Sequence, residues 1–338
     1  MNIKMLNTIL QYSIINNMRN EKRKFKMIDL CAGTGAFTYA FEKTGCVDVI
    51  FANDFDSSSK HIYDLNFSHS LTFGDLCEME VKDIPKHDIM SCGFPCQPFS
   101  VVGLQKGFDD KRTDIIWKLL EIMEYHKPEC VILENVKNLI SHDHEKTFAI
   151  IKNAIKKTGY NIIYNVLDTS QITKIPQHRE RIYIICVRNK NIFKKMDLDF
   201  PIVSTHEMDK ILEKNVNKKY YYDDKNNKIH KLLVKTVKNK NTFYQYRRTY
   251  VRENKRNVCQ TLTKNMGTGG YNVPIICDEH GVRKLTPREC FNLQGFPKDY
   301  KLNGLSDSKL YGLSGNAITI PIVELIANRL IPLMNKFC

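Results

Sequence analysis

Between residues 27 and 190 the chain alternates short apolar runs with amphipathic stretches, and this alternation restricts the fold more than any other feature. "KMIDLCAG" reads as an apolar strand ending in glycine, "AFTYAFEKTG" as a helix stopped at Gly45, and "VDVIFAND" as a second strand ending in acid. "SSSKHIYDLNF" fits a helix opened by serine caps, and "HDIMSCGFP" a strand running into a proline-rich loop. "RTDIIWKLLEIMEYHKPE" is an amphipathic helix stopped near Pro128, "CVILENV" a buried strand, and "TFAIIKNAIKKTG" a helix closed by glycine. Strands separated by helices return in the same direction, so the pattern predicts an α/β fold with a mainly parallel, doubly wound sheet. Reactive groups in such sheets collect at the carboxyl ends of strands. Those ends carry Asp29-Leu30-Cys31, Asn53-Asp54, Cys92 to Cys96, and Glu134-Asn135.

Near Arg188 the pattern fades, and Lys, Asn and Tyr dominate to about Arg256, with "KYYYDDKNNK" and "NTFYQYRRTY" interleaving aromatics and bases. Residues 191–304 are therefore expected to form a second, smaller domain, and "TIPIVELIANRL" to bring the chain back to the large one, giving 27–190 plus 305–338. Residues 1–26 form a basic extension. The net charge of +14 is concentrated: Arg188 to Arg256 holds 19 Lys and Arg against 8 Asp and Glu, and residues 1–26 hold 6 against 1. Such segregation suits a polyanion, most simply nucleic acid, although Lys-rich composition is the plainer account. No apolar run approaches the roughly 20 residues of a membrane span, and the N-terminus lacks the apolar core of a signal peptide. The 11 cysteines are odd in number and without framework spacing, which predicts reduced thiols in a cytoplasmic setting.

Four motifs carry chemistry. In "DLCAGTGAF", Gly33 and Gly35 allow a tight turn that a ligand can approach, and Asp54, 19 residues after Gly35, can accept from ribose hydroxyls. Together with Gly74-Asp75 they suit a nucleoside; an ordinary strand-helix turn is the bland alternative. Cys96, framed by Pro95 and Gln97-Pro98, is a nucleophile candidate at a strand's carboxyl end. Its alternatives are a core thiol or a metal pair with Cys92, but no second Cys/His pair has zinc spacing, and no metal is expected. Glu134, ending the apolar strand "CVIL", needs a partner or a task, unless it caps a helix. Arg179 and Arg181 alternate onto one face before an apolar strand and suit phosphate or carboxylate, or else mark a solvated strand edge.

At this point the residues carry a resemblance. "DLCAGTGAF", "GFPCQPFS", "ENV", "QHRER", "RKLTPRECFNLQGFP" and "GLSGNAITIPIVE" follow one another as do the motifs of cytosine-C5 DNA methyltransferases of the bacterial and viral, restriction-modification type. The chain resembles that family over about 27–190 and 247–332. The resemblance implies a Rossmann-like S-adenosylmethionine-dependent methyltransferase fold with a small target-recognition domain, acting on double-stranded DNA. It implies that Cys96 attacks cytosine C6, Glu134 holds and protonates the N3/N4 edge, Arg179 helps hold the base, and Arg181 supports Glu134. The base must be flipped out of the duplex. The cofactor would be bound by Asp29, Cys31, Ala32, Gly33, Gly35, Asp54 at the ribose, Phe55, Asp75 at the exocyclic amine, Leu76 and Ala317. Phe37 would stack on the adenine, and Asn316 would bind there and brace the Cys96 loop. DNA would be contacted by Gln97 and Ser100 near the vacated position, by Thr261 at a target phosphate, by Arg247 and Arg248, and by Gly269 and Gly270 of "MGTGGYN".

Cys31 replaces a usual aromatic and Ala36 a usual glycine in the first motif, changes with which cofactor binding is expected to survive. The basic extension is either an added DNA contact or residues upstream of a start at Met18 or Met27. A monomer is expected, with a cognate restriction endonuclease as a candidate partner. The rival within the fold is the tRNA-methylating branch, whose loop typically reads Pro-Pro-Cys-Gln where this chain has Phe94-Pro95-Cys96-Gln97. A catalytically silent DNA-binding homologue is disfavoured by intact Cys96, Glu134, Arg179 and Asn316, and an NAD oxidoreductase by Thr38.

Overall fold

The computed structural model describes residues 24–94, 115–223, 229–269 and 272–338. Seven strands, β1 (Phe25–Leu30), β2 (Val47–Asp54), β3 (Thr72–Phe73), β4 (Ile89–Gly93), β5 (Cys130–Val136), β6 (Asn161–Asp168) and β7 (Glu180–Val187), form one sheet in the order β3-β2-β1-β4-β5-β7-β6. From β3 to β5 the neighbours are parallel, as the alternation predicts. Helices α1 (Ala36–Glu42), α2 (Ser57–Asn66), α3 (Ile115–His126) and α4 (Lys146–Lys157) cover it. Side chains alternate across the sheet: Met27, Ile89, Ile132 and Ile185 join α1 on one face, while Ile28, Met90, Leu133 and Ile184 join α3 and α4 on the other. The first helix cap differs from expectation: Asp56, not a serine, opens α2 by accepting from Ser58 N and Ser59 N.

β7 departs from the parallel pattern, pairing antiparallel with both β5 and β6. The link from Asp168 to Glu180 is too short for a crossover, which takes roughly a dozen residues or more. The reversal matters for the site. It brings the start of β7 to the carboxyl end of β5, so that Arg181 pairs with Val136 and Tyr183 with Glu134.

The basic region, which has no clear sequence signature, contains real structure. Strands β8 (Tyr244–Arg247), β9 (Tyr250–Glu253), β10 (Ile275–Asp278) and β11 (Gly281–Lys284) make a second, antiparallel sheet in the order β11-β10-β8-β9. Buried Arg283 fastens it to helix α5 (Pro287–Asn292) through two 2.7 Å bonds to Glu289, and is itself held by one of 2.6 Å to Asp278 of the neighbouring strand β10. The large core takes in residues outside 27–190 and 305–338. β1 starts at Phe25, and Phe291, Phe296 and Tyr300 belong to the same cluster as α1, with Tyr300 Oη donating to the Thr34 carbonyl. Helices α6 (Asp307–Asn316) and α7 (Ile320–Phe337) close the fold, α7 lying against α1 with Lys43 paired to Glu324. The run Asp307–Phe337 is long and apolar enough to cross a membrane, contrary to the sequence expectation, but 61% of its apolar window is buried, as in a core helix.

Candidate active site

The turn after β1 and the ends of β2, β4 and β5 open onto one cavity of about 370 Å³. Its first half is a glycine turn. Gly33 has φ +55, and a Cβ there would meet nothing within 4 Å, so this side of the turn is open to a ligand. Gly33 N donates to Asp54 Oδ2 at 2.8 Å, and Asp56 N to Asp54 Oδ1 at 2.8 Å. Each carboxylate oxygen keeps a lone pair for a further donor. Burial raises the Asp54 carboxyl pKa against the bonds from Asp56 and Gly33. Next to it Phe55 holds its ring out at 67% exposure.

The second half is charged. Glu134, 7% exposed, faces Arg181, with Nε 3.2 Å from Oε1. The N–H does not point along that line, and among the described residues Oε1 has no hydrogen-bond partner. Burial raises the Glu134 pKa, and Arg181 and Arg179 act against it. Arg179 is buried and committed mostly to the backbone: Nη1 donates to Leu262 O and Gly315 O, and Nη2 to Ala317 O at 2.7 Å. Its Nε has no partner among the described residues. The anion that two guanidiniums on one face suggest is, in the first instance, this protein's own carboxylate. Thr34 Oγ1 is a third buried polar atom at the cavity without a partner among the described residues.

Of the expected residues, Cys31, Ala32, Gly33, Asp54, Phe55, Glu134, Arg179, Arg181, Asn316 and Ala317 line this cavity. Phe37 does not: it is 2% exposed and lies in the core beneath α1, where helical spacing turns it inward, so the ring available for stacking is Phe55. Asp29 is fully buried and accepts from Ser91 Oγ at 2.7 Å and Thr38 Oγ1 at 2.8 Å; it ties strands and helix together and does not reach the cavity. Burial raises its carboxyl to about 6. Gly35 is needed for packing: it has φ +73, and a side chain there would strike Phe67. Asp75 and Leu76 lie one strand away, where Asp75 caps the following turn through Cys77 N. Cys96, Gln97, Ser100 and Gly270 fall outside the described residues.

Asn135, expected at a strand's carboxyl end, lines the cavity too, as do Thr34 and Lys264, which were not singled out. Asn135 Nδ2 donates to Phe94 O at 3.0 Å and so fixes the chain two positions before Cys96. Its place in "ENV" was visible, but its partner 41 residues upstream was not. Gly315 serves the same wall. A Cβ there would overlap the Thr263 carbonyl and come within 2.6 Å of Lys264 N, both backbone. Gly315→Ala is expected to cost about 1–3 kcal/mol, read as a lowered thermal midpoint, because neither segment can move without breaking the Arg179 clasp.

A second, larger cleft of about 1050 Å³ lies beside the first, with Thr261, His178, Gln245, Arg252 and Lys255 on its walls. Thr261 Oγ1 already donates to His178 O at 2.6 Å, so its hydroxyl proton is not available to a phosphate. Arg247 and Arg248 are exposed at the tip of hairpin β8–β9, and Gly269 is exposed with φ +121.

This arrangement can be set against known proteins. The family described as C-5 cytosine-specific DNA methylase matches residues 25–332. The chain belongs to that family. It is 41% identical to the Type II methyltransferase M.Bsp6I of Bacillus sp. (strain RFL6) over 309 residues, covering 90% of this chain and 98% of that protein. It is 35% identical to the Type II methyltransferase M.HhaI of Haemophilus parahaemolyticus, covering 89% and 93%. The crystal structure of the S. pombe Dnmt2 methyltransferase shares the fold, with a TM-score of 0.70 at 19% identity, covering 92% of this chain and 99% of that one. The protein is a DNA (cytosine-5-)-methyltransferase of the restriction-modification type. Its family uses S-adenosylmethionine, and the cavity fits that group: an open glycine turn, a carboxylate with spare lone pairs, an exposed ring and an unpartnered Thr34 hydroxyl stand together.

Proposed function

We propose that this enzyme methylates C5 of a cytosine flipped out of a specific double-stranded DNA sequence, through a covalent adduct at Cys96. What carries the reading is that the glycine-turn half and the Glu134 half open onto one cavity, so a nucleoside cofactor and a base can meet there. Ala32, Gly33, Asp54 and Phe55 would hold the cofactor, Asn316 and Ala317 would close the wall, and Asp75 would reach the adenine edge. When bound, S-adenosylmethionine supplies an electrophilic methyl group.

Cytosine C5 is a weak nucleophile, and the protein's task is to make it a better one. The Cys96 thiolate adds to C6, breaking the C5–C6 double bond and leaving an enamine with electron density on C5. Glu134 holds the N3/N4 edge, and its burial favours the protonated carboxyl, whose proton can be shared with N3. Arg181 holds the carboxyl by charge, and Arg179 keeps an Nε with no partner among the described residues. Once C5 carries the methyl group, loss of its proton to a base breaks the C6–S bond, expels the Cys96 thiolate and restores the C5–C6 double bond. Because C5 is inaccessible within a duplex, the base is everted first. The region around residues 191–304 forms the target-recognition part, and its charge predicts a steep salt dependence of DNA binding.

Bisulfite sequencing of DNA from cells expressing the chain tests this reading: protected cytosines in one fixed context are expected, and unmodified DNA with modified RNA would overturn it. Phe55→Ala is expected to weaken S-adenosylmethionine binding about tenfold, as loss of an aromatic stacking partner does, measured by equilibrium dialysis without DNA.

A further inference from the structure

Hairpin β8–β9 has two faces of opposite character. Tyr244 pairs with Glu253 and Tyr246 with Val251. Tyr244 and Val251 are buried with Leu233, Ile275 and Val282, and Tyr246 packs on that cluster. Gln245 pairs with Arg252, and Arg247 with Tyr250. Residues opposite one another or two apart point the same way, so these four share the outer face. Arg247, Tyr250 and Arg252 are exposed there, and Gln245 Oε1 accepts from Arg252 Nη2 at 3.3 Å. The adjacent acid, Glu253, belongs to the other face, where Asn239 Nδ2 and Tyr244 Oη donate to it at 3.2 Å each. The outer face therefore presents two guanidiniums, a carboxamide and a phenol, while the Glu253 carboxylate is bonded on the other side, although it and Asp168 also line the larger cleft. β9 is the edge strand of its sheet, and Gln245 and Arg252 look into the larger cleft. The turn is held, with Arg248 at φ +54 and its carbonyl bonded by the Tyr246 hydroxyl.

We propose that this outer face is the sequence-reading surface, with Arg252 and Arg247 reading guanine and Gln245 acting as the positioning residue for Arg252. The inference rests on duplex DNA being the substrate. A two-stranded ribbon fits the major groove, which is about 12 Å wide, and guanine O6 and N7 match the guanidinium fork. A phosphate contact carries no sequence information, whichever donor makes it. The amide brace on Arg252 fixes the plane of the fork, as bidentate reading of a guanine edge requires; a phosphate could use the same plane, and the test separates the two by sequence preference.

The test uses the full-length protein on duplexes with randomised flanks, read by bisulfite sequencing. The wild type is expected to require guanine at one or more flanking positions. Arg252→Ala and Arg252→Lys should each relax one guanine position about tenfold or more while still methylating, although the lysine keeps the charge. Arg247→Ala should relax a different position, and Gln245→Ala should partly relax the Arg252 position. Lys255→Ala, in the same cleft, should lower methylation evenly. Unchanged preferences in the Arg252 and Arg247 variants, or an even loss across all sequences, would overturn the proposal while leaving the enzyme reading intact. A wild type that leaves no methylcytosine in any duplex would sink both.

Discussion

Cys96→Ser is expected to lose methyl transfer to duplex DNA by at least about a thousandfold and to keep its affinity for S-adenosylmethionine. The argument is chemical. A thiol with an ordinary pKa near 8.5 is already a few per cent thiolate at neutral pH, whereas a serine hydroxyl is not ionised there. Without an anionic nucleophile, nothing loads electrons onto C5. The cofactor half of the cavity depends on Gly33, Asp54 and Phe55, which stand at the ends of β1 and β2. Two measurements separate these effects. Tritiated methyl transfer reads the chemistry, and equilibrium dialysis reads the cofactor. A duplex with 5-fluorocytosine at the target adds a third, since fluorine cannot leave C5 as a proton does. Wild-type protein should then remain covalently attached through Cys96, and the serine variant should not. Full activity in Cys96→Ser would remove this residue from the mechanism.

Much of this site is legible in the sequence because it lies at strand ends. An apolar run that stops at an acid or a cysteine declares both the strand and its reactive edge, as Asp54 and Glu134 do. The antiparallel course of β7 is not so declared, since "ERIYIICV" reads alike in either direction, and only the short link from Asp168 reveals it. That reversal places Arg179 and Arg181 beside Glu134. The roles of Arg179, Gly315 and Asn135 depend on partners far away in the chain, which no local spacing reports. Phe37 and Asp29 went astray for a related reason. Both stand in a motif that binds a ligand, but helical and strand alternation turn Phe37 into the core and Asp29 onto Thr38 and Ser91. Motif membership selects a segment, and the backbone period then decides which of its side chains reach the cavity.

Glu134→Gln provides the second decisive experiment. Glutamine keeps the shape and can still donate to N3 and accept from N4, but it has no proton to give up. Turnover is therefore expected to fall by about a hundredfold or more, with much less change in KM for DNA. The same substitution reports on stability. Burial raises the Glu134 carboxyl above its unfolded value, so the folded state holds this proton more tightly than the unfolded chain. The associated stabilisation is complete below the ordinary glutamate range near pH 4.3 and is lost as pH rises through the raised value. Glutamine does not titrate, so the stability of wild type relative to Glu134→Gln should decline as pH rises through that window, measured by thermal melts in a pH series. Arg181 opposes the decline by attracting the carboxylate, and Arg181→Met should steepen it. An unchanged turnover would make Glu134 a structural acid. Parallel stability curves for wild type and Glu134→Gln would instead mean that the carboxyl is ionised as readily in the fold as outside it, and the shared proton at N3 would have to come from elsewhere.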